Sequence, residues 1–220
     1  MVLKKLSYLA VSVCLLWGCS KASFPWETSN SSGTPYGTED YSAIVTVKQD
    51  DSGATVFQLD DHTRLYPSNY THPYNGLQRI ICGLRIAQNN RCEVLWMDFL
   101  EKGGVSGNWS GEGDGADVLD DWMTSVEDGF LTLHYSAFWG SGEVEHGLSI
   151  VTGRNPDDPY ELWFCHDSKG DTPLTKADAL VYFDINTLPP TDGKYVTLTL
   201  KWLSSASEPA TKTFRFKSRQ

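Results

Sequence analysis

Apolar side chains at Val196, Leu198, Leu200 and Trp202 alternate strictly with Tyr195, Thr197, Thr199 and Lys201. A period of two puts every second side chain on one face of an extended chain, so this segment must be a strand with one buried side. Phe214 and Phe216 repeat the pattern between basic residues. Strand-like segments recur at 130–138, 144–151, 160–166 and 180–185, bounded by turn-forming residues. No long stretch carries the helical period. Short strands at near-regular spacing predict an immunoglobulin-like β-sandwich over residues 118–220.

The chain upstream reads as a second, smaller β module over residues 41–102. Residues 41–48 are rich in β-branched side chains, and Asp50-Asp51-Ser52-Gly53 is a turn signal before a strand at 54–59. A two-residue turn at Asn89-Asn90 tolerates positive φ. It would pair Ile80 with Phe99, Cys82 with Met97, Leu84 with Leu95 and Ile86 with Glu93, giving one buried face. Cys92 would then face Ala87. Residues 103–117 hold six glycines and read as the linker between the modules. The expected architecture is all-β, a small barrel followed by a sandwich.

The amino terminus has a different character. Lys4 and Lys5 precede an apolar run at 6–17 interrupted by Ser7 and Ser12. That run has the length of a signal-peptide core and falls short of the ~20 residues needed to span a bilayer. It ends in Leu16-Trp17-Gly18-Cys19-Ser20, which resembles a bacterial lipobox. The resemblance implies a signal peptide at 1–18, removal before Cys19, and acylation of Cys19 with fatty chains such as palmitate. More than one acyl chain makes membrane attachment stable. Ser20 in place of an aspartate points to the outer membrane. The absence of acids between Cys19 and Glu27 favours its periplasmic face. Residues 19–40 then form a polar tether, reaching on the order of 25 Å if flexible.

Charge narrows the partners. Eighteen Lys and Arg against 28 Asp and Glu give a net charge of −10. A nucleic-acid binder needs a basic stripe to neutralise phosphates, so this balance excludes that class. It also argues against a polybasic patch for anionic lipid. The lipid anchor is therefore the expected membrane contact.

Catalytic chemistry finds no frame. Gly-x-Ser-x-Gly is absent. Cys165-His166-Asp167 joins three reactive types, but strand neighbours point to opposite faces. We expect Cys165 to pack in the sandwich and His166-Asp167 to open a turn. The histidines at 62, 72, 134, 146 and 166 show no close pairing, and the cysteines lack Cys-x-x-Cys spacing. Cys82, Cys92 and Cys165 allow one disulfide or three buried thiols. Asp114 and Asp117, within an acidic cluster by the glycine-rich segment, are the only calcium candidates; no other cofactor is expected. Trp109, Phe138 and Trp139 lie beside glycines and are the aromatics expected to be exposed, as stacking surfaces for a sugar or partner. Trp96, Trp163 and Trp202 lie within strands and are expected in the core.

An ordered set of motifs runs through the chain: Phe57-Gln58-Leu59-Asp60-Asp61, Leu65-Tyr66-Pro67-Ser68-Asn69, Asn75-Gly76-Leu77-Gln78-Arg79, Asp120-Asp121-Trp122, Gly129-Phe130-Leu131-Thr132-Leu133, and Cys165-His166-Asp167 before Val181-Tyr182-Phe183-Asp184-Ile185. Together with the lipobox and tether, this set resembles NigD-like lipoproteins of Gram-negative bacteria. The resemblance implies an OB-like barrel followed by a β-sandwich, and no established enzymatic activity. It also hints at bacteriocin immunity through the operon of the family's namesake. The chain departs in having Cys165 where an arginine is common. The expectation is a non-catalytic envelope lipoprotein that binds an envelope protein or glycan; the alternatives are an immunity-like protein and a glycan-binding lipoprotein.

Overall fold

A computed structural model describes residues 40–60, 62–73, 76–107, 113–140 and 143–219. Cys19, the tether up to residue 39 and Trp109 lie outside the described residues. Every regular element described is a strand, so the chain is all-β.

Five strands close a barrel: β1 (Asp40–Gln49), β2 (Thr55–Gln58), β3 (Arg64–Pro67), β4 (Gln78–Ile86) and β5 (Arg91–Phe99), in the order β1-β2-β3-β5-β4. Alternation dictates what lies inside. Ala43, Val45 and Val47 of β1 and Ile80, Cys82 and Leu84 of β4 are buried together. The turn after β1 is held by the Asp50 carboxylate, which accepts the Ser52 and Ala54 amides and the Ser52 hydroxyl. These bonds lower its pKa, the Ser52 hydroxyl contributing most.

The β4–β5 hairpin turns through Asn89 and Asn90, both at φ 57°, but the Ala87 amide donates to the Arg91 carbonyl and Ile86 faces Cys92, so the loop holds three residues, 88–90, instead of the expected two. Ile80 faces Phe99 and Cys82 faces Met97 as expected, but Gly83 faces Trp96 and Leu84 faces Val94. Leu95 is the extra residue of a β-bulge, and the register beyond it slips by one, placing Cys92 against Ile86. The expected pairs Leu84–Leu95 and Ile86–Glu93 therefore do not form. The apolar face of β5 is not buried either: Phe99 is 58% exposed. Trp96, expected in the core, is 43% exposed and lies across Gly83, where a Cβ would sit 2.2 Å from its Nε1. Trp163 is half-buried under Arg154 and Lys201, whereas Trp202 is in the core.

Two sheets form the sandwich. β6 (Glu101–Lys102) and β7 (Gly104–Ser106) are adjacent in sequence yet enter opposite sheets. With β8 (Asp117–Val118), β9 (Ser125–Glu127), β10 (Phe130–Trp139) and β13 (Thr175–Asp184), β6 makes the first sheet, ordered β6-β13-β10-β8 with β9 also on β10. The second runs β15-β14-β12-β11-β7, from β11 (Gly147–Thr152), β12 (Glu161–Asp167), β14 (Val196–Leu203) and β15 (Pro209–Phe216). Parts of the glycine-rich segment thus belong to the sandwich itself. Gly103 is the crossing point: a Cβ there would lie 2.0 Å from the Phe183 ring. The core between the sheets contains Leu131, Leu133, Tyr135, Ile150, Phe164, Phe183, Leu198, Leu200 and Phe216. The three described cysteines are free and buried; burial pushes Cys82 up to about 12 and Cys92 up to about 11.

The barrel's outer face packs on the sandwich through Ile44, Leu100, Phe130 and Tyr182. Arg79 crosses this seam with its side chain fully buried. It donates to Asp60 at 3.0 Å, Thr46 at 3.0 Å and Thr132 at 3.2 Å, while Ser125 donates to the other Asp60 oxygen at 2.9 Å.

Candidate functional site at the mouth of the sandwich

One end of the sandwich gathers the residues with most chemical potential. The pleat of β10 sends Tyr135, Ala137 and Trp139 inward, so Trp139 ends that row at the mouth of the core. The pleat of β12 likewise sends Leu162, Phe164 and His166 inward. His146, just before β11, lies flat on Trp139, with ring centroids 4.4 Å apart and planes 6° apart. His146 Nδ1 and His166 Nε2 are 2.8 Å apart, and both residues are buried.

Hydrogen-bond accounting sets their protonation. Asp171 Oδ2 lies 3.3 Å from His146 Nε2 and accepts the Gly140 amide at 2.9 Å. With the His146 Nε2 proton donated to Asp171, Nδ1 is left as an acceptor and His166 Nε2–H donates to it. This chain of bonds uses both His146 nitrogens and His166 Nε2, while His166 Nδ1 is buried with no hydrogen-bond partner among the described residues. Burial, with the neighbouring His146 next, holds His166 below the usual histidine pKa. Burial raises the Tyr135 phenol and the Glu101 carboxyl, the latter also through Glu145.

The acidic candidates are occupied separately. Asp114 accepts the Ser168 amide at 2.6 Å and its hydroxyl at 2.7 Å, which lowers its pKa. Asp117 accepts from Lys176 and from the amide and hydroxyl of Ser205. Burial raises the Asp117 pKa, but these bonds outweigh it and the net shift is downward. The two carboxylates hold different loops. Among the described residues no group of three or more His, Cys, Asp or Glu is placed to hold a metal ion.

The aromatic candidates divide as the pleat requires. Phe138 points outward, 48% exposed, with Lys176 Nζ 6.0 Å from its ring centre. Trp139 is committed to the fold, stacked on His146 and donating its Nε1–H to the Ala177 carbonyl at 3.1 Å. Leu174, whose amide donates to the Trp139 carbonyl, is 69% exposed beside them. Cys165 is buried as expected. His166, expected to open a turn, is instead a strand residue facing the core. The His146–His166 contact, across 20 residues, was missed. The β11–β12 hairpin register, with Leu148 against His166, is the signal that would have found it.

Comparison with known proteins agrees with this architecture. The model of the NigD-like C-terminal beta sandwich domain matches residues 110–216. No curated protein matches the chain. A solved structure of a toxin-related protein from Parabacteroides distasonis superposes with a TM-score of 0.66 at 23% identity, over 81% of this chain and 94% of that one. A NigD-like immunity protein from Bacteroides caccae gives 0.59 at 16% identity, over 78% and 91%. A protein named as a lipoprotein from Bacteroides fragilis gives 0.58 at 10% identity, over 83% and 100%. At these identities the likeness is one of fold, covering barrel and sandwich together. Residues 110–216 thus match the NigD-like C-terminal beta sandwich domain family, and the chain as a whole shares its barrel-and-sandwich fold with these structures.

Proposed function

We propose that this NigD-like protein is a non-catalytic binding lipoprotein of the cell envelope. It hangs from the outer membrane by acyl groups on Cys19, on the periplasmic face, and engages an envelope protein through the rim of the sandwich mouth. One observation carries the reading. The reactive side chains of the mouth bond to one another or to neighbouring loops, as in Asp171–His146–His166, while apolar Phe138 and Leu174 face solvent. Such an arrangement spends its polar chemistry on holding loops and presents surface for contact. The fold shared with a protein named as a lipoprotein supports the anchor.

Two measurements test it. Intact mass of the mature protein should show Cys19 as the first residue with added hydrocarbon mass; an unmodified chain refutes the anchor. A photo-crosslinking amino acid at Leu174 in living cells should give one discrete adduct, abolished by Phe138→Asp and absent when the probe sits at Lys194. Equal labelling at both positions refutes the rim. A second reading is favoured by the fold shared with the immunity protein from Bacteroides caccae: the partner is a bacteriocin. Loss of the protein should then sensitise cells to that toxin, and unchanged survival removes the idea.

A further inference from the structure

A second concavity lies along the seam, away from the mouth. It has a volume of about 230 Å³ and is lined by His62 from the barrel and by Glu127, Asp128, Tyr195, Arg215 and Lys217 from the sandwich. Its charges are unevenly matched. Glu127 faces His62 at 3.2 Å and Asp128 faces Lys48 at 3.8 Å. The neighbouring Arg219 is fixed by Asp184 at 2.6 Å and by the Asp128 carbonyl at 2.7 Å. Arg215 and Lys217 have no carboxylate partner among the described residues; they lean over the Tyr195 ring, 4.1 and 5.2 Å from its centre. Strand geometry explains the placement. Arg215 in β15 and Lys217 just past its end are two residues apart along the chain, and Tyr195 directly precedes Val196, which faces Phe216. Two unneutralised cations thus stand side by side in a chain of net charge −10.

We propose that this groove binds an anionic sugar, a single pyranose ring carrying a carboxylate, phosphate or sulfate. Each wall supplies one part of that chemistry. Arg215 and Lys217 pair with the anionic substituent through charge-assisted hydrogen bonds. Ionised Glu127 and Asp128 can only accept, so they suit hydroxyl donors and reject a second carboxylate. The half-exposed Tyr195 ring offers an apolar edge to the sugar's C–H groups. The volume is below the ~300–1,000 Å³ of pockets for drug-sized ligands, so one ring fits and an oligomer extends outside. This inference deepens the binding reading and rests on it, but uses none of the rim residues.

The test is calorimetric titration of the mature chain in detergent micelles with glucuronate, glucose 6-phosphate, glucose and a triglutamate peptide. Glucuronate or glucose 6-phosphate should bind, and glucose should bind at least about tenfold more weakly, since a charge-assisted hydrogen bond contributes ~1.5–3 kcal/mol. Arg215→Gln with Lys217→Gln should remove the preference for the charged sugar with little change in melting temperature, because among the described residues the contacts of the two cations are those with the half-exposed Tyr195 ring. Tyr195→Ala should weaken both charged sugars. No binding of either charged sugar overturns the proposal, as does binding indifferent to the double variant. Triglutamate binding as tightly as glucuronate overturns it in favour of an acidic peptide. Crosslinking at Leu174 is independent of all these outcomes, so the rim and the groove fail separately.

Discussion

Arg79 carries a permanent charge on a side chain with no exposed area, and its guanidinium ties three parts of the chain together. Thr46 belongs to β1, Asp60 follows β2, and Thr132 belongs to β10 of the sandwich. Removing one partner of a buried pair leaves the other uncompensated, which costs about 3–5 kcal/mol. Asp60 is 35% exposed, so water recovers part of that cost from its side. Arg79→Ala should therefore destabilise the fold by about 3 kcal/mol, and Asp60→Asn by distinctly less. Urea denaturation of both variants measures this, and equal losses would contradict the account. Nothing in the sequence around Asn75-Gly76-Leu77-Gln78-Arg79 marks this arginine as buried. Its partners lie 19, 33 and 53 residues away, so only the assembled seam brings them together.

At the scale of elements, the period-two pattern was sufficient where a strand is covered on one face and regular throughout. Leu198, Leu200 and Trp202 are buried as the alternation requires. It failed in β5, where one inserted residue leaves the apolar composition unchanged but shifts every later pair. The pattern also could not say that the carboxy-terminal half of β5 lacks cover, so Phe99 and Trp96 reach solvent. The glycine-rich segment, expected as a linker, contributes β7 to the sandwich for a different reason. Glycines are permissive in loops and equally required where backbone approaches a ring. At Gly103 the second applies, because the Phe183 ring occupies the space of a side chain between β6 and β7. Gly103→Ala should overpack this junction and cost on the order of 1–3 kcal/mol. By contrast Gly107→Ala, with nothing within 4 Å of the added carbon among the described residues, should change stability by no more than about 0.5 kcal/mol. Thermal unfolding of the pair checks this, and a mild Gly103→Ala would mean that Phe183 moves freely aside.

For the molecule as a whole, buried His166 couples the fold to acidity. His166 has a folded-state pKa below its unfolded value of ~6.5. The unfolded chain therefore binds more protons just below that pH, and stability falls as pH drops through the window. Asp114, also depressed, holds its contribution above the ordinary carboxylate value of 3.8 and loses it at lower pH. Glu101 acts in the opposite sense. Burial raises its pKa above 4.5, so the folded chain binds the extra proton and stability declines as pH rises through that interval. Between pH 7 and 6 the histidine governs; nearer pH 5 the Glu101 contribution offsets part of its loss. Urea midpoints measured from pH 7.5 to 5 should fall over the upper part of that range. His166→Gln should flatten that slope while leaving a Glu101-dependent rise toward pH 5. A midpoint that stays level in the native chain would mean that His166 is protonated within the fold, with Asp171 and Asp114 compensating its charge. In that case the neutral hydrogen-bond chain through His146 would have to be redrawn.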